Sequence, residues 1–489
     1  MGEGTKKIMK KKYVIKDINL FVFFLYIVLA LLSLMIIKVF EDLPFHSWTK
    51  IFCSVAVLLL FVQIYVFRIL KIKILSVFPL ISLLSYLFQF GDILCYSLGY
   101  KKEVIIRYIK SYADINAYTK GVSLAFGCVI TFTIGGMLLK LFSSDFDEDI
   151  FRTRKIVNTS FYKYLGIILI STTFPLWLYH LIFNAKTIIE NGSYEVLLKK
   201  SLPGYITSFA SFIYIGMFSL MLYFRIKNSK LKMWITISVF VFCLSLFMLL
   251  GSRSVPMSIF FAFLIFYNRC LIYKKIRKEH MIILIIGAYI LINLLHAIQV
   301  SRLSGFSLSD IINEFWRGGL EIVLDEIWEF GITGISTSCI VNNIKEFHPD
   351  WFVIKELCSI TPIPIVSKYA IVGSVAAGIP ELGTSYIGEM YYYYGNWCYL
   401  ATFFIAIYIT SIENCIYKQL SKNNYFIFLM FLMWMWQQLN CIRASFNLAL
   451  KTMIYSFILL EGVKIICLSF HRSGMYVKKF NYQEGAVDL

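Results

Sequence analysis

Charged side chains are scarce in this sequence: 16% of its 489 residues are Asp, Glu, Lys or Arg, against 59% that are hydrophobic. Two or three soluble domains of that total length would carry charge along their whole surface. The composition therefore excludes them and points to one transmembrane bundle over residues 1–489. Low-complexity segments and long internal repeats are missing as well. The 11 cysteines form no CxxC pair and no Cys/His cluster, so neither a zinc site nor a disulfide framework is signalled. Only Cys339 and Cys358 fall together outside the apolar runs, and a bond between them stays open. Acidic residues are the minority charge, 29 Asp plus Glu against 47 Lys plus Arg. In a soluble chain that balance would raise nucleic-acid binding. In a membrane protein it reports topology, and no nucleic-acid partner is required.

What is present in abundance is apolar sequence in blocks of about twenty residues, the length that crosses a bilayer as a helix. The expected fold is all-α and polytopic, with about twelve transmembrane helices at 18–40, 50–67, 74–98, 119–142, 163–184, 204–224, 233–250, 255–268, 281–298, 385–410, 425–439 and 447–468. The first is read as a retained helix, because MGEGTKKIMKKKYVIK leads into an apolar run too long for a signal core. KKIMKKK, RILKIK, RTRK, RIKNSKLK, NRCLIYKKIRK, IYKQLSK and HRSGMYVKK all fall on one side of that arrangement. Cytoplasmic loops are the ones enriched in Lys and Arg, so both termini are expected inside.

One connection is long. Residues 299–384 are expected to form a large external cap between the ninth and tenth helices, since loops of that length usually carry function. Within it SLSDIINEFWRGGLEIVLDEIWEF places apolar residues at helical intervals, with Ser309 or Asp310 as cap and a break at Gly318-Gly319. An amphipathic helix on the membrane surface is expected. GITGISTS then reads as a turn region, a second short helix follows, and TPIPIVSKYA cannot be a continuous helix.

In LFMLLGSRSVPMSIFFAFLIF two apolar runs meet at an external turn holding Arg253. Gly251 suits the end of one helix, Ser252 or Ser254 the cap of the next, and Pro256 its first turn. A cation beside a helix N-terminus is disfavoured by roughly 0.3–1 kcal/mol, and a bound anion reverses that penalty. Phosphate or pyrophosphate at headgroup depth is one reading, with the guanidinium gripping two oxygens. An arginine snorkelling to lipid phosphates is the other. Arg302, Arg317 and Arg443 lie on the same expected face and could converge with Arg253 on a polyanionic headgroup.

Glu389, in GTSYIGEMYYYYGNW, falls about one turn inside the tenth helix, where an ionisable group is costly and marks function. A glutamate that reaches the interface, or that pairs structurally with an arginine, is the competing explanation. Asp92 in QFGDILCY is a similar, weaker case, and His296, His348, Asp310, Glu314 and Glu381 are also external. Spacing cannot select a general base among them. Tyr386 and Tyr391 to Tyr394, beside Asn396 and Trp397, are compatible with sugar-ring stacking, with Tyr386 and Tyr392 as candidates and core packing as the use of most.

These features together resemble the Wzy-type O-antigen and capsule repeat-unit polymerases. The many helices, the large external loop in the second half, the GSR turn, the stretch ending in ITPIP and GTSYIGEMYYYYGNW carry the likeness, which covers residues 230–410 by pattern. It implies a glycosyltransferase at the outer face of a bacterial cytoplasmic membrane, acting in lipopolysaccharide or capsule synthesis. Such an enzyme moves a growing glycan from undecaprenyl pyrophosphate onto a newly flipped lipid-linked repeat unit, with no metal, cofactor or nucleotide sugar. Its partners would be those lipid-linked oligosaccharides, the lipid bilayer, and a chain-length regulator and flippase. On this resemblance Arg253, Arg302 and Glu389 are the catalytic candidates, and Arg317, Arg443, Tyr386 and Tyr392 the substrate-binding ones. A flippase, or a ligase that shares the arginines but uses another acceptor, would produce much of the same pattern.

Overall fold

The computed structural model describes residues 3–142, 159–191, 202–249, 254–271, 308–317, 319–360, 373–379, 382–422, 424–444 and 453–467, with isolated positions 289, 293, 296, 297, 300 and 469. The described residues are helical, with no strand among them. In chain order the helices are α1 Glu3–Val39, α2 Phe45–Ile69, α3 Val77–Ser97, α4 Lys102–Tyr112, α5 Ile115–Phe142, α6 Thr159–Asn191, α7 Gly204–Ala210, α8 Phe212–Ile226 and α9 Lys230–Leu249. They continue as α10 Ser254–Phe266, α11 Leu308–Arg317, α12 Leu320–Asn343, α13 Pro349–Ile360, α14 Gly373–Ala376, α15 Tyr386–Tyr394, α16 Cys398–Ser421 and α17 Tyr425–Asn440.

Among the described residues, 9 stretches are long and apolar enough to cross a membrane. They coincide with nine of the twelve expected spans. Of the other three, 281–298 lies outside the described residues except for isolated positions, and 447–468 is described as helix only over 453–467. The third, 425–439, forms α17, whose 16 residues are fewer than the roughly 20 that cross a bilayer upright.

The chain divides into two compact units. One comprises Met1–Phe146, Gly319–Tyr417 and Gln438–Leu448, the other Asp147–Gly318, Lys418–Gln437 and Ala449–Leu489. In the second unit α6 and α8 pack closely, because Gly166 and Gly216 face each other's helix. Trp177 Nε1 donates to Tyr214 Oη at 3.3 Å, and Phe218, Phe240 and Phe263 form an aromatic core between α8, α9 and α10.

The first unit is organised around α12. The expected break is present: α11 ends at Arg317, Gly319 takes φ 148°, and α12 begins at Leu320. Beyond it the structure departs from the expectation. GITGISTS is not a turn region but continues α12, and instead of offering an apolar face to the membrane surface, α12 packs along α3 and α5. The reason is residue size. A Cβ on Gly331 would stand 2.0 Å from the Asp92 amide nitrogen, one on Gly334 would stand 2.2 Å from the Gln89 carbonyl oxygen, and one on Gly91 would stand 2.2 Å from that of Ile327. The missing side chains bring two helix backbones together, as small residues do between membrane helices. The residues that looked like loop formers are a packing face. Ser336, Thr337 and Ser338 are buried there, with Ile335, Cys339 and Ile340. Cys339 Sγ lies 3.4 Å from the Tyr112 carbonyl oxygen, and the side chain of Cys358 lies outside the described residues.

At the start of α3 the buried Glu413 carboxylate of α16 accepts the Val77 amide at 2.7 Å and the Tyr417 hydroxyl at 2.9 Å. Lys140 Nζ stands 3.8 Å from its other oxygen. Orphan amides at a helix start need an acceptor, and here a distant segment supplies it. Glu413→Ala leaves that amide and a half-enclosed lysine without the carboxylate. The expected cost is about 3 kcal/mol, read as a lower midpoint in a thermal unfolding assay of the detergent-purified protein.

Candidate functional site

Along α12, Glu326, Glu329, Thr333, Ser336 and Thr337 recur at helical spacing, and all five are buried. This polar stripe runs along the packed side of the helix. Polar groups that are buried need partners, and the neighbours of α12 provide them. Thr337 Oγ1 donates to Gln89 Oε1 of α3 at 3.0 Å and lies 3.0 Å from Ser385 Oγ, while Ser336 Oγ donates to the Gly383 carbonyl at 2.5 Å. Asp92, wholly buried, accepts the Tyr118 hydroxyl of α5.

Ser385 also caps α15, its Oγ accepting the Gly388 amide at 3.1 Å. One residue on, the Tyr386 amide donates to the Cys441 carbonyl at 2.9 Å. That bond ties the start of α15 to the turn after α17, which carries Arg443. The side chain of Glu389, one turn into α15, is fully enclosed. Burial first, and the neighbouring Glu389 carboxylate second, push the Cys441 thiol well above its ordinary range. Arg443 Nη2 stands 4.0 Å from Glu329 Oε1. Gln438, on the last turn of α17, keeps a buried Oε1 without a protein partner among the described residues, as Gln89 does its Nε2.

Three elements distant in sequence thus meet: α12 with Glu326 and Glu329, α15 with Glu389, and the 441–444 turn with Arg443. A cation beside an enclosed carboxylate, with a second buried carboxylate on the helix tied to its turn, can bind an anionic group and hold or accept a proton nearby.

The sequence candidates fall into three groups. Glu389, Tyr386, Tyr392 and Arg443 belong to the first unit and share the α15 neighbourhood. Arg317 ends α11 in the second unit, exposed, with Nη1 3.4 Å from Glu314 Oε1. Arg253 and Arg302 lie outside the described residues. Both tyrosines are buried. The Tyr386 ring is 5.3 Å from that of Phe132 and its hydroxyl 3.1 Å from Ser85 Oγ, and the Tyr392 ring lies 4.8 Å from that of Tyr393. α3 and α5 thus pack against Tyr386. Glu326, Glu329, Gln89 and Gln438 were not singled out from the sequence. The helical recurrence of polar residues along α12 is the signal, and the glycines and serines of GITGISTS mask it because they also favour turns.

No curated protein and no solved structure matches the chain. The family model for O-antigen polysaccharide polymerase Wzy matches residues 18–318, a span that includes Arg253, Arg302 and Arg317 and ends before Tyr386, Glu389, Tyr392 and Arg443. That family acts on lipid-linked oligosaccharide repeat units in a membrane. With more than half of its length matched and a bundle of membrane-length helices to go with it, this chain belongs to the O-antigen polysaccharide polymerase Wzy family.

Proposed function

We propose that the protein transfers a growing glycan from undecaprenyl pyrophosphate onto a lipid-linked repeat unit at the external face of the bacterial cytoplasmic membrane, within a twelve-helix topology with both termini inside. The observation that carries the site assignment is the enclosed Glu389 carboxylate on a helix tied by its first amide to the turn bearing Arg443. In the reaction the acceptor hydroxyl oxygen attacks the anomeric carbon of the donor. The anomeric C–O bond to the pyrophosphate breaks, and undecaprenyl pyrophosphate leaves with the electron pair.

Charge grows on the leaving pyrophosphate, so a fixed arginine stabilises the transition state more than the ground state. Arg443 takes that role in the first unit, and Arg253, Arg302 and Arg317 are assigned to the pyrophosphates from the sequence. Glu389 takes the acceptor proton or holds the acceptor hydroxyl, while Tyr386 and Tyr392 shape the wall around it. The leaving group is already activated, so this reading needs no metal and no nucleotide sugar. A flippase supplying the repeat units and a regulator of chain length are the partners it implies.

Deleting the gene and analysing the surface glycan together with the lipid-linked pool tests the reading. Single repeat units reaching the surface without longer chains are expected. Units trapped on the inner face would make the protein a flippase instead, and long chains left on the lipid carrier a ligase.

A further inference from the structure

Glu329 has no part in the reaction just described, yet its carboxylate stands beside Arg443. Resting on that reading, we propose that Glu329 is an internal counter-anion for Arg443, occupying the guanidinium until a pyrophosphate group displaces it.

Three observations carry this. The contact is long: at 4.0 Å Nη2 and Oε1 face each other as charges, outside the roughly 2.7–2.9 Å of a hydrogen-bonded arginine–carboxylate fork between these two groups. The two partners are unequally enclosed, the Arg443 side chain 31% exposed and that of Glu329 10%. An incoming anion can therefore reach the cation while the carboxylate stays within the bundle. The backbone under Arg443 is fixed, its amide donating to the Asn440 carbonyl at 3.1 Å and the Cys441 carbonyl accepting the Tyr386 amide at 2.9 Å. The exchange therefore takes place at the side chain, over an unchanged backbone.

Pyrophosphate is suited to win it. It carries more charge than one carboxylate and offers oxygens at the spacing of the guanidinium fork. A cation already committed to an internal anion binds an external one less tightly, by the factor that commitment represents. Glu329 thus lowers affinity for the leaving group, which favours release of undecaprenyl pyrophosphate after each transfer, and discourages singly charged anions from resting on Arg443.

The test uses purified full-length protein in phosphatidylcholine nanodiscs, titrated with undecaprenyl pyrophosphate and, in parallel, with inorganic pyrophosphate. Glu329→Gln keeps the side-chain shape and removes the charge, and is expected to tighten binding about 3- to 10-fold. Glu329→Asp, which retracts the carboxylate from Arg443, moves the same way by a smaller factor and serves if the first variant fails to fold. Arg443→Gln weakens binding, and adding Glu329→Gln to it gives no gain. The inorganic probe shows the same order of variants if the exchange concerns the anion alone. Equal or weaker binding by both Glu329 variants overturns the proposal, because a scaffold residue behaves that way. If wild type binds through Arg443 and the Glu329 variants change nothing, the proposal falls and the polymerase reading stands. If wild type does not bind undecaprenyl pyrophosphate, both fall.

Discussion

Arg443→Ala is expected to reduce polymer to about a hundredth of the wild-type amount or less, with the protein still inserted in the membrane. Removing one preorganised donor from a developing oxyanion costs roughly 10²–10³ in turnover, and a full cation facing a pyrophosphate leaving group belongs at the upper end. The arginine sits on a turn held by backbone bonds from Tyr386 and to Asn440, which truncating its side chain does not remove. Arg443→Lys keeps the charge but loses the planar fork, and should retain measurable polymer. Glu389→Gln makes the companion case: the enclosed site keeps an isosteric side chain but has no carboxylate to take a proton. The readout for all three is the length ladder of surface glycan from a deletion strain complemented with each variant, normalised to membrane-inserted protein. Full-length polymer from Arg443→Ala and Glu389→Gln would remove both residues from the chemistry.

Gly331→Leu should have the second large effect, on the fold itself. A Cβ at that position would lie 2.0 Å from the Asp92 nitrogen, a backbone atom in the middle of α3 that has no side-chain freedom with which to yield. Overpacking in a close-packed interior typically costs 1–3 kcal/mol, and a helix-to-helix backbone contact lies beyond that range. We expect loss of monodisperse protein on size exclusion and loss of polymer. Gly462→Leu is the control, since nothing stands within 4 Å of a Cβ there. Equal yields of the two variants would mean that α12 does not approach α3 as described.

Much of the fold was legible because membrane helices announce themselves by length and hydropathy alone. Nine of the expected spans coincide with described helices, and even the break between α11 and α12 could be read from its two glycines. What the sequence hid was the role of α12. Glycine and serine mean turns in water, where they free the backbone, but between membrane helices they mean close approach. GITGISTS is spelled alike in both cases, and the partner that decides between them, Gln89-Phe90-Gly91-Asp92, lies more than two hundred residues away. The candidate site was half legible for the same reason. Glu389 stood out as an acidic residue in an apolar run and Arg443 as a cation in a short turn. Their common neighbourhood depends on the bond between the Tyr386 amide and the Cys441 carbonyl, which no local pattern encodes. Glu329 escaped notice because a glutamate on an apparently amphipathic surface helix needs no explanation.

The polar stripe of α12 also bears on how the protein is made. Glu326 and Glu329 are buried in it, α12 is not among the described stretches apolar enough to cross a membrane, and an acidic residue at the centre of a helix adds about 2.5–3.5 kcal/mol to the cost of insertion by the translocon. Such a segment does not partition into lipid unaided. It has to wait at the translocon or the bilayer surface until α3 and α5 are in place to receive it, which makes docking of α12 a late step in biogenesis. The polar residues that cluster at the site are then assembled only after much of the bundle exists.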